Sequence, residues 1–180
     1  MNAAFHLFDT AVGRCAVVWR GALIVRVLLP AASEAHMREA VARSFPGAAS
    51  AEPPAAVARV IDKIVALCRG EAARFDDAPL DRSSIEPFAA RVYAILESVA
   101  FGDTTTYGAV AEALGDRSLS RAVGAALGAN PFPIVIPCHR VTAAGGAMGG
   151  FSAPGGAATK RKLLEIEGAF AASKLPLFSR

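Results

Sequence analysis

The chain has 180 residues, 53% of them hydrophobic and 19% charged, which excludes a disordered chain and leaves room for one large or two small domains. Forty residues are alanine and ten are phenylalanine, so propensity favours helix and the bulky core must come from Leu, Ile, Val and Phe. The net charge of +3 divides into 10 basic and 9 acidic residues before Ile85, and 9 and 7 from there on; this permits a polyanionic partner but excludes a basic block as the means of holding it.

Ala3 to Thr10, Arg14 to Trp19 and Leu23 to Leu29 are rich in Val, Leu, Ile and Phe, with Gly13 and Gly21 at the breaks, which predicts an antiparallel meander. Ser33 to Arg43 reads as a short helix. From Pro54, the residues Val57, Val60, Ile61, Ile64, Val65 and Cys68 recur at helical spacing, and Gly70 supplies the stop. Phe75 to Glu86 is polar and aperiodic and marks a boundary between residues 1–83, a small antiparallel sheet with helices, and residues 84–170. A tail follows at 171–180.

The second part opens with Pro87 in a first helical turn and the apolar set Phe88, Val92, Ile95, Leu96 and Val99. Thr106 can cap a helix from Tyr107 to Leu114, and Ser118 one from Leu119 to Ala129; the short turn at Gly115 to Arg117 gives the pair helix-turn-helix proportions. An extended run bracketed by Pro131 and Pro137 comes next, then a glycine-rich segment from Gly145 to Gly156. The final helix runs from Ala157 to Glu167, and Gly168 closes it. The fold class is α/β in the α+β sense, and no internal repeat is present.

In the stretch from Asn130 to Val141, three prolines restrict the backbone around Cys138 and His139. A free thiol titrates near 8.5 and needs a basic or cationic neighbour to become a nucleophile at neutral pH, and His139 and Arg140 are candidates. Adjacent residues in a strand point apart, so a water rather than direct contact is the route open from His139 to Cys138, and from the residues alone a lone cysteine reads first as a buried structural one.

The chain resembles the O6-alkylguanine-DNA alkyltransferases. Their signature P-C-H-R-V stands at Pro137 to Val141, and the likeness extends to Phe101-Gly-Asp-Thr-Thr-Thr-Tyr107, Arg121-Ala-Val-Gly124, Asn130-Pro-Phe-Pro133 and Glu167-Gly168. It covers roughly Pro87 to Gly168; the first 85 residues match only in type. The resemblance implies direct reversal of O6-alkylguanine in double-stranded DNA, with O4-alkylthymine as a further candidate substrate, by stoichiometric transfer to a cysteine.

By this resemblance Cys138 looks like the acceptor, His139 the base reaching it through water, and Glu167 the carboxylate orienting His139. Tyr107 resembles the tyrosine that protonates the departing guanine, and Arg121 the arginine that replaces a flipped nucleotide. Ala122, Gly124, Ala125 and Ala126 match a small-residue face in the minor groove, with Thr106 beside it. Asn130 resembles a hinge leading to the active-site strand, next to Arg140. Gly150, Phe151 and Ser152 match the loop walling the alkylguanine pocket. Phe151 stands where the family commonly has tyrosine, and Ala153-Pro154 look inserted; both bear on pocket width and so on the range of alkyl groups.

Other chemistries have weaker support. The glycine-rich segment lacks the phosphate-loop patterns, and Pro154 spoils a serine-hydrolase elbow. Cys15, Cys68, His6 and His36 have no zinc spacing, so neither metal nor cofactor is expected. Lys160, Arg161 and Lys162 read as a solvated face at a helix start, with phosphate contact as the alternative. The absence of a long apolar run or a secretory pattern, together with three unpatterned cysteines, fits a reducing cytoplasm with no membrane partner, and a monomer is expected. Two rivals remain: a non-catalytic lesion-binding module, disfavoured by Cys138, and a small-molecule cysteine transferase, disfavoured by Tyr107 and Arg121.

Overall fold

The computed structural model describes residues 2–152 and 154–169; the expected tail at 171–180, and Ala153 of the expected insertion, lie outside them. Strands Ala4–Thr10 (β1), Gly13–Arg20 (β2) and Leu23–Leu28 (β3) form the meander. β1 pairs antiparallel with β2 from Ala4↔Trp19 to Thr10↔Gly13, and β2 with β3 from Ala16↔Leu28 to Arg20↔Leu23. Gly13 turns at φ +124°, where a Cβ would also meet Pro30 at 3.0 Å, so only glycine suits it.

The sheet is mixed, which corrects the purely antiparallel expectation. Helix α1 (Glu34–Ser44), capped by the Ser33 hydroxyl accepting from the His36 N–H, carries the chain back over the sheet. The two-residue strand Ala49–Ser50 (β4) then enters parallel to β1, giving the order β3-β2-β1-β4. Two residues give too short a pattern to read from sequence.

β2 is buried from Cys15 to Trp19 because both faces of the sheet are covered. Its odd residues Cys15, Val17 and Trp19 pack with the Val57, Val60, Ile61, Ile64 and Leu67 stripe of α2 (Ala55–Leu67), while Ala16 and Val18 pack with Met37 and Val41 of α1. Beyond α2 the chain lies along β3: the Ile24 N–H donates to the Pro79 carbonyl at 2.7 Å and the Asp81 N–H to the Ile24 carbonyl at 2.8 Å. The Val27 N–H donates to the Pro131 carbonyl at 2.9 Å, and one buried cluster continues from Phe8 and Trp19 through Val92 and Leu96 to Ile136 and Leu163.

Helix α3 (Pro87–Glu97) has Pro87 in its first turn and buries Val92, Tyr93 and Leu96, where proline's missing N–H costs nothing. The short strand Thr105–Thr106 (β5) leads into α4 (Tyr107–Ala113), with Thr106 as its cap, accepting from the Ala109 N–H at 3.1 Å. Helix α5 is Ser120–Gly128, and the expected Ser118 cap is not formed. Instead Asp116 caps a 3-10 turn, Arg117–Leu119, by accepting from the Ser118 N–H at 2.8 Å, and the Ser118 hydroxyl is spent on the same carboxylate at 2.7 Å. A local Asx turn has outcompeted the serine cap. Short strand Val141–Thr142 (β6) pairs parallel with β5, and helix α6 is Gly156–Ile166. No helix among the described residues is long and apolar enough to cross a membrane.

Candidate active site

The expected extended run at Pro131 to Pro137 is a tight turn. The Ile136 N–H donates to the Phe132 carbonyl at 2.8 Å, and the buried Asn130 side chain clasps the turn from inside: its Oδ1 accepts from the Phe132 N–H at 2.9 Å and its Nδ2 donates to the Ile136 carbonyl at 2.9 Å. Ile134 takes φ +71°, a conformation that costs a β-branched residue about 1–3 kcal/mol. Its side chain is 1% exposed, and that burial together with the Asn130 clasp holds the turn. The strand expected after Asn130 is also absent: Cys138–Arg140 form a 3-10 turn leading into β6.

Cys138, His139 and Arg140 are all buried. The Nε2 of His139 bonds the Oε1 of Glu167 at 2.8 Å, and Arg140 donates to the same carboxylate through Nε to Oε2 at 2.9 Å and Nη2 to Oε1 at 3.0 Å. Arg140 Nη1 also donates to the Val99 carbonyl at 2.6 Å. Burial alone would raise the Glu167 carboxyl; the bonds from His139 and Arg140 outweigh it and hold it at about 2. Burial lowers His139 despite Glu167, with Arg140 and Lys160 adding to the fall, so the imidazole is neutral at rest. An ionised Glu167 then places the ring proton on Nε2 and leaves Nδ1 as a base. Nδ1 is the one buried side-chain polar atom without a hydrogen-bond partner among the described residues.

Cys138 lies on the wall of a cavity of about 530 Å³ shared with Tyr107, Ser120, Arg121, Gly124, Leu127, Gly128, Gly150, Phe151 and Ser152, a volume suited to a small ligand such as one base. Burial raises the Cys138 thiol, while Asn130 and Lys160 pull it back down. Tyr107 donates its hydroxyl proton to the Gly150 carbonyl at 3.1 Å, and Ser152 donates to the Gly128 carbonyl at 3.0 Å, pinning the loop to α4 and α5. A Cβ on Gly149 would sit 2.9 Å from the Tyr107 ring at φ +70°, so glycine is what lets loop and tyrosine meet. A larger cavity, about 640 Å³, lies behind Arg140 between Ala72–Asp76 and Glu97–Phe101, and no thiol lines it.

On α5, Arg121, Ala122 and Ala125 are exposed and Gly124 is half-buried. Ala126 is not part of that face: it is buried, and its carbonyl accepts from the Tyr93 hydroxyl at 2.8 Å. Lys160 departs furthest from the sequence reading. Arg161 and Lys162 are exposed, but Lys160 is 0% exposed, with Nζ donating to the Val141 carbonyl at 2.5 Å and reaching the Gly150 carbonyl at 3.5 Å. The missed signal is periodic: Lys160, Leu163, Leu164 and Glu167 follow i, i+3, i+4, i+7 and are all buried. Among the described residues no three His, Cys, Asp or Glu side chains gather as a metal cluster.

Residues 87–169 match the family model described as 6-O-methylguanine DNA methyltransferase, DNA binding domain. The chain is 39% identical over 125 residues to the methylated-DNA–protein-cysteine methyltransferase of Mycobacterium tuberculosis, covering 69% of this chain and 73% of that protein. It is 44% identical over 112 residues to a DNA base-flipping protein of Thermus thermophilus, covering 62% of this chain and 73% of that one. The crystal structure of Mycobacterium tuberculosis OGT in complex with DNA superposes with a TM-score of 0.73 at 30% identity, over 92% of this chain and 93% of that chain.

Proposed function

The chain belongs to the methylated-DNA–protein-cysteine methyltransferase family and so repairs DNA directly by taking an alkyl group onto one of its own cysteines; we propose that this cysteine is Cys138 and that its substrate is O6-alkylguanine flipped out of duplex DNA. The observation that carries this reading is the free Nδ1 of His139, a buried base with its other nitrogen fixed by an ionised carboxylate, directly after the thiol that faces the cavity.

The steps close on the chain's own groups. The thiol proton passes to Nδ1 of His139 through a water, and Sγ attacks the alkyl carbon as the C–O6 bond breaks. The electron pair stays on the guanine, which takes the phenol proton of Tyr107, and return of the His139 proton to Tyr107 restores the charges. For this the Tyr107 hydroxyl must leave the Gly150 carbonyl, so the base enters by opening that contact. Water does not cleave the thioether, so each molecule reacts once. No cofactor or metal is called for, and one chain carries every group, so the protein acts as a monomer.

DNA is the partner, and residues 84–170 carry both engagement and chemistry while residues 1–83 buttress them through β3. The exposed small face of Ala122, Gly124 and Ala125 lies in the minor groove, Thr106 sets the start of α4 beside it, and Arg121 at the cavity rim fills the space of the extruded nucleotide. The reducing cytoplasm is where such a thiol stays free. A lesion-binding protein without chemistry would use the same face; Cys138 on the cavity wall favours transfer. Intact-protein mass spectrometry after mixing with O6-methylguanine duplex decides it: a gain of one CH2 mapped to Cys138 supports the reading, and unmodified Cys138 with tight binding overturns it.

A further inference from the structure

We infer that Lys160 is a positioning residue for the transfer, a buried ammonium that joins the nucleophile's turn to the wall of the lesion pocket and supplies the counter-charge to the Cys138 thiolate. This rests on the reading of Cys138 as acceptor. A lysine with no exposed surface is rare, because removing an ammonium from water is costly unless an anion or several acceptors replace the hydration. Among the described residues no carboxylate bonds Lys160: its partners are two carbonyls, Val141 at 2.5 Å and Gly150 at 3.5 Å, and the face of the Tyr107 ring at 5.8 Å. Val141 directly follows the Cys138–Arg140 turn, and Gly150 lines the cavity with Cys138. The ammonium thus joins the two sides of the site.

Among the described residues the nearby carboxylate is already committed, which leaves Lys160 the Cys138 thiol and the Tyr107 phenol to serve. Glu167 is consumed by His139 and Arg140, and Arg140 is consumed by Glu167 and the Val99 carbonyl. The ionisable groups around Cys138 are Lys160, Tyr107 and Tyr93, with His139 next in the chain and the Asn130 side chain drawing the thiol down. Burial lowers the Lys160 ammonium and raises the Cys138 thiol, and when Sγ loses its proton each charge offsets part of that cost for the other. A second consequence follows from Gly150. Its carbonyl now receives the Tyr107 hydroxyl; when the base claims that hydroxyl, Lys160 is already within reach and takes over the carbonyl, so the loop stays in place with the pocket occupied.

Three variants separate charge from packing. Lys160→Met removes the charge and the bonds, Lys160→Gln keeps a donor without the charge, and Lys160→Arg keeps the charge. Two rates are read from pH 6 upward through the Cys138 midpoint of each protein: single-turnover methyl transfer from O6-methylguanine duplex, and iodoacetamide labelling of Cys138 followed by peptide mapping. Both neutral variants are expected to move the Cys138 midpoint up by about one unit, with about tenfold slower reaction on both readouts at pH 7. The deficit closes as pH rises, and Lys160→Arg keeps the wild-type profile. A deficit of the same size at every pH, or unchanged iodoacetamide labelling in the neutral variants, overturns the inference and leaves Lys160 a packing residue. Should Lys160→Met fail to fold, Lys160→Gln against Lys160→Arg decides alone. Wild-type protein that labels at Cys138 with iodoacetamide but takes no methyl from DNA would instead sink the reading of Cys138 as acceptor.

Discussion

Arg140 grips Glu167 through two side-by-side bonds, 2.9 Å and 3.0 Å long, where the carboxylate has no exposure to water. His139 bonds the same carboxylate, so orienting the proposed base and neutralising a buried arginine depend on one side chain. Glu167→Gln is expected to slow transfer and move its pH dependence upward, because an amide does not stabilise the imidazolium that forms as Cys138 loses its proton. Stability also falls, by about 3 kcal/mol, since the arginine is left as an uncompensated buried charge. DNA binding changes little. An unchanged single-turnover pH profile removes Glu167 from the mechanism.

The same carboxylate makes the fold acid-sensitive in a defined window. Its pKa falls from an ordinary 4.5 to about 2 in the folded chain. A depressed carboxyl stabilises the fold fully above its unfolded pKa, and that contribution, on the order of 3 kcal/mol, fades as pH drops through the folded value. Urea melts of wild type and Glu167→Gln are expected to differ most at pH 6 to 7 and to converge near pH 2. A gap independent of pH contradicts the assignment.

Cys138→Ala is expected to abolish transfer and leave DNA binding intact, because in the proposed mechanism the thiol makes the new bond while the surface of α5 makes the complex. Cys15 and Cys68 lie inside the core, 0% and 1% exposed, and burial pushes Cys15 up to about 12 and raises Cys68 as well. Alanine at either position keeps transfer in whatever fraction folds. Methyl mapped to Cys15 or Cys68, or loss of binding with Cys138→Ala, speaks against Cys138 as acceptor.

Strong local signals made much of the fold legible. The α2 stripe, the short helix after Ser33, the Thr106 cap, Pro87 at a helix start and the glycine-broken meander are all decided within a few residues, and all are present. What escaped is settled by competition or by distance. Ser118 lost its cap role to Asp116 two residues away. The turn at Pro131–Pro137 depends on the side chain of Asn130 and on a buried place for Ile134, neither visible from three prolines that read equally well as extended chain. The charge of Lys160 points to a solvated face, whereas its position in line with Leu163 and Leu164 points to the core, where it lies. Cys138 and His139 were identifiable as chemical groups, but the free nitrogen that gives His139 its use depends on Glu167, 28 residues further along.

Asn130→Ala tests the clasp. It removes both bonds that close the buried turn before Cys138 and leaves the Phe132 N–H and one acceptor site on the Ile136 carbonyl unserved, a loss of about 2–3 kcal/mol. Asn130 also draws the Cys138 thiol downward, so the variant's iodoacetamide midpoint at Cys138 is expected to rise. Stability lost with an unmoved midpoint would make Asn130 a purely structural clasp.

Arg121 separates a protein that flips bases from one that merely accepts alkyl groups. It is exposed on α5 at the rim of the cavity holding Cys138, among the small residues Ala122, Gly124 and Ala125. If its guanidinium occupies the space of an extruded nucleotide, Arg121→Ala removes a partner that offsets an unstacking cost of a few kcal/mol, and reaction with duplex O6-methylguanine slows about tenfold or more. Free O6-benzylguanine needs no extrusion, so its reaction with Cys138 stays close to wild type, in so far as the wild-type pocket admits benzyl. Both second-order rates are measured in wild type and Arg121→Ala, with circular dichroism to confirm the fold. Equal slowing on the two substrates means that Arg121 supports the pocket itself, since a defect in the cavity wall penalises every ligand alike, whereas a defect in extrusion penalises only a base that begins inside the helix.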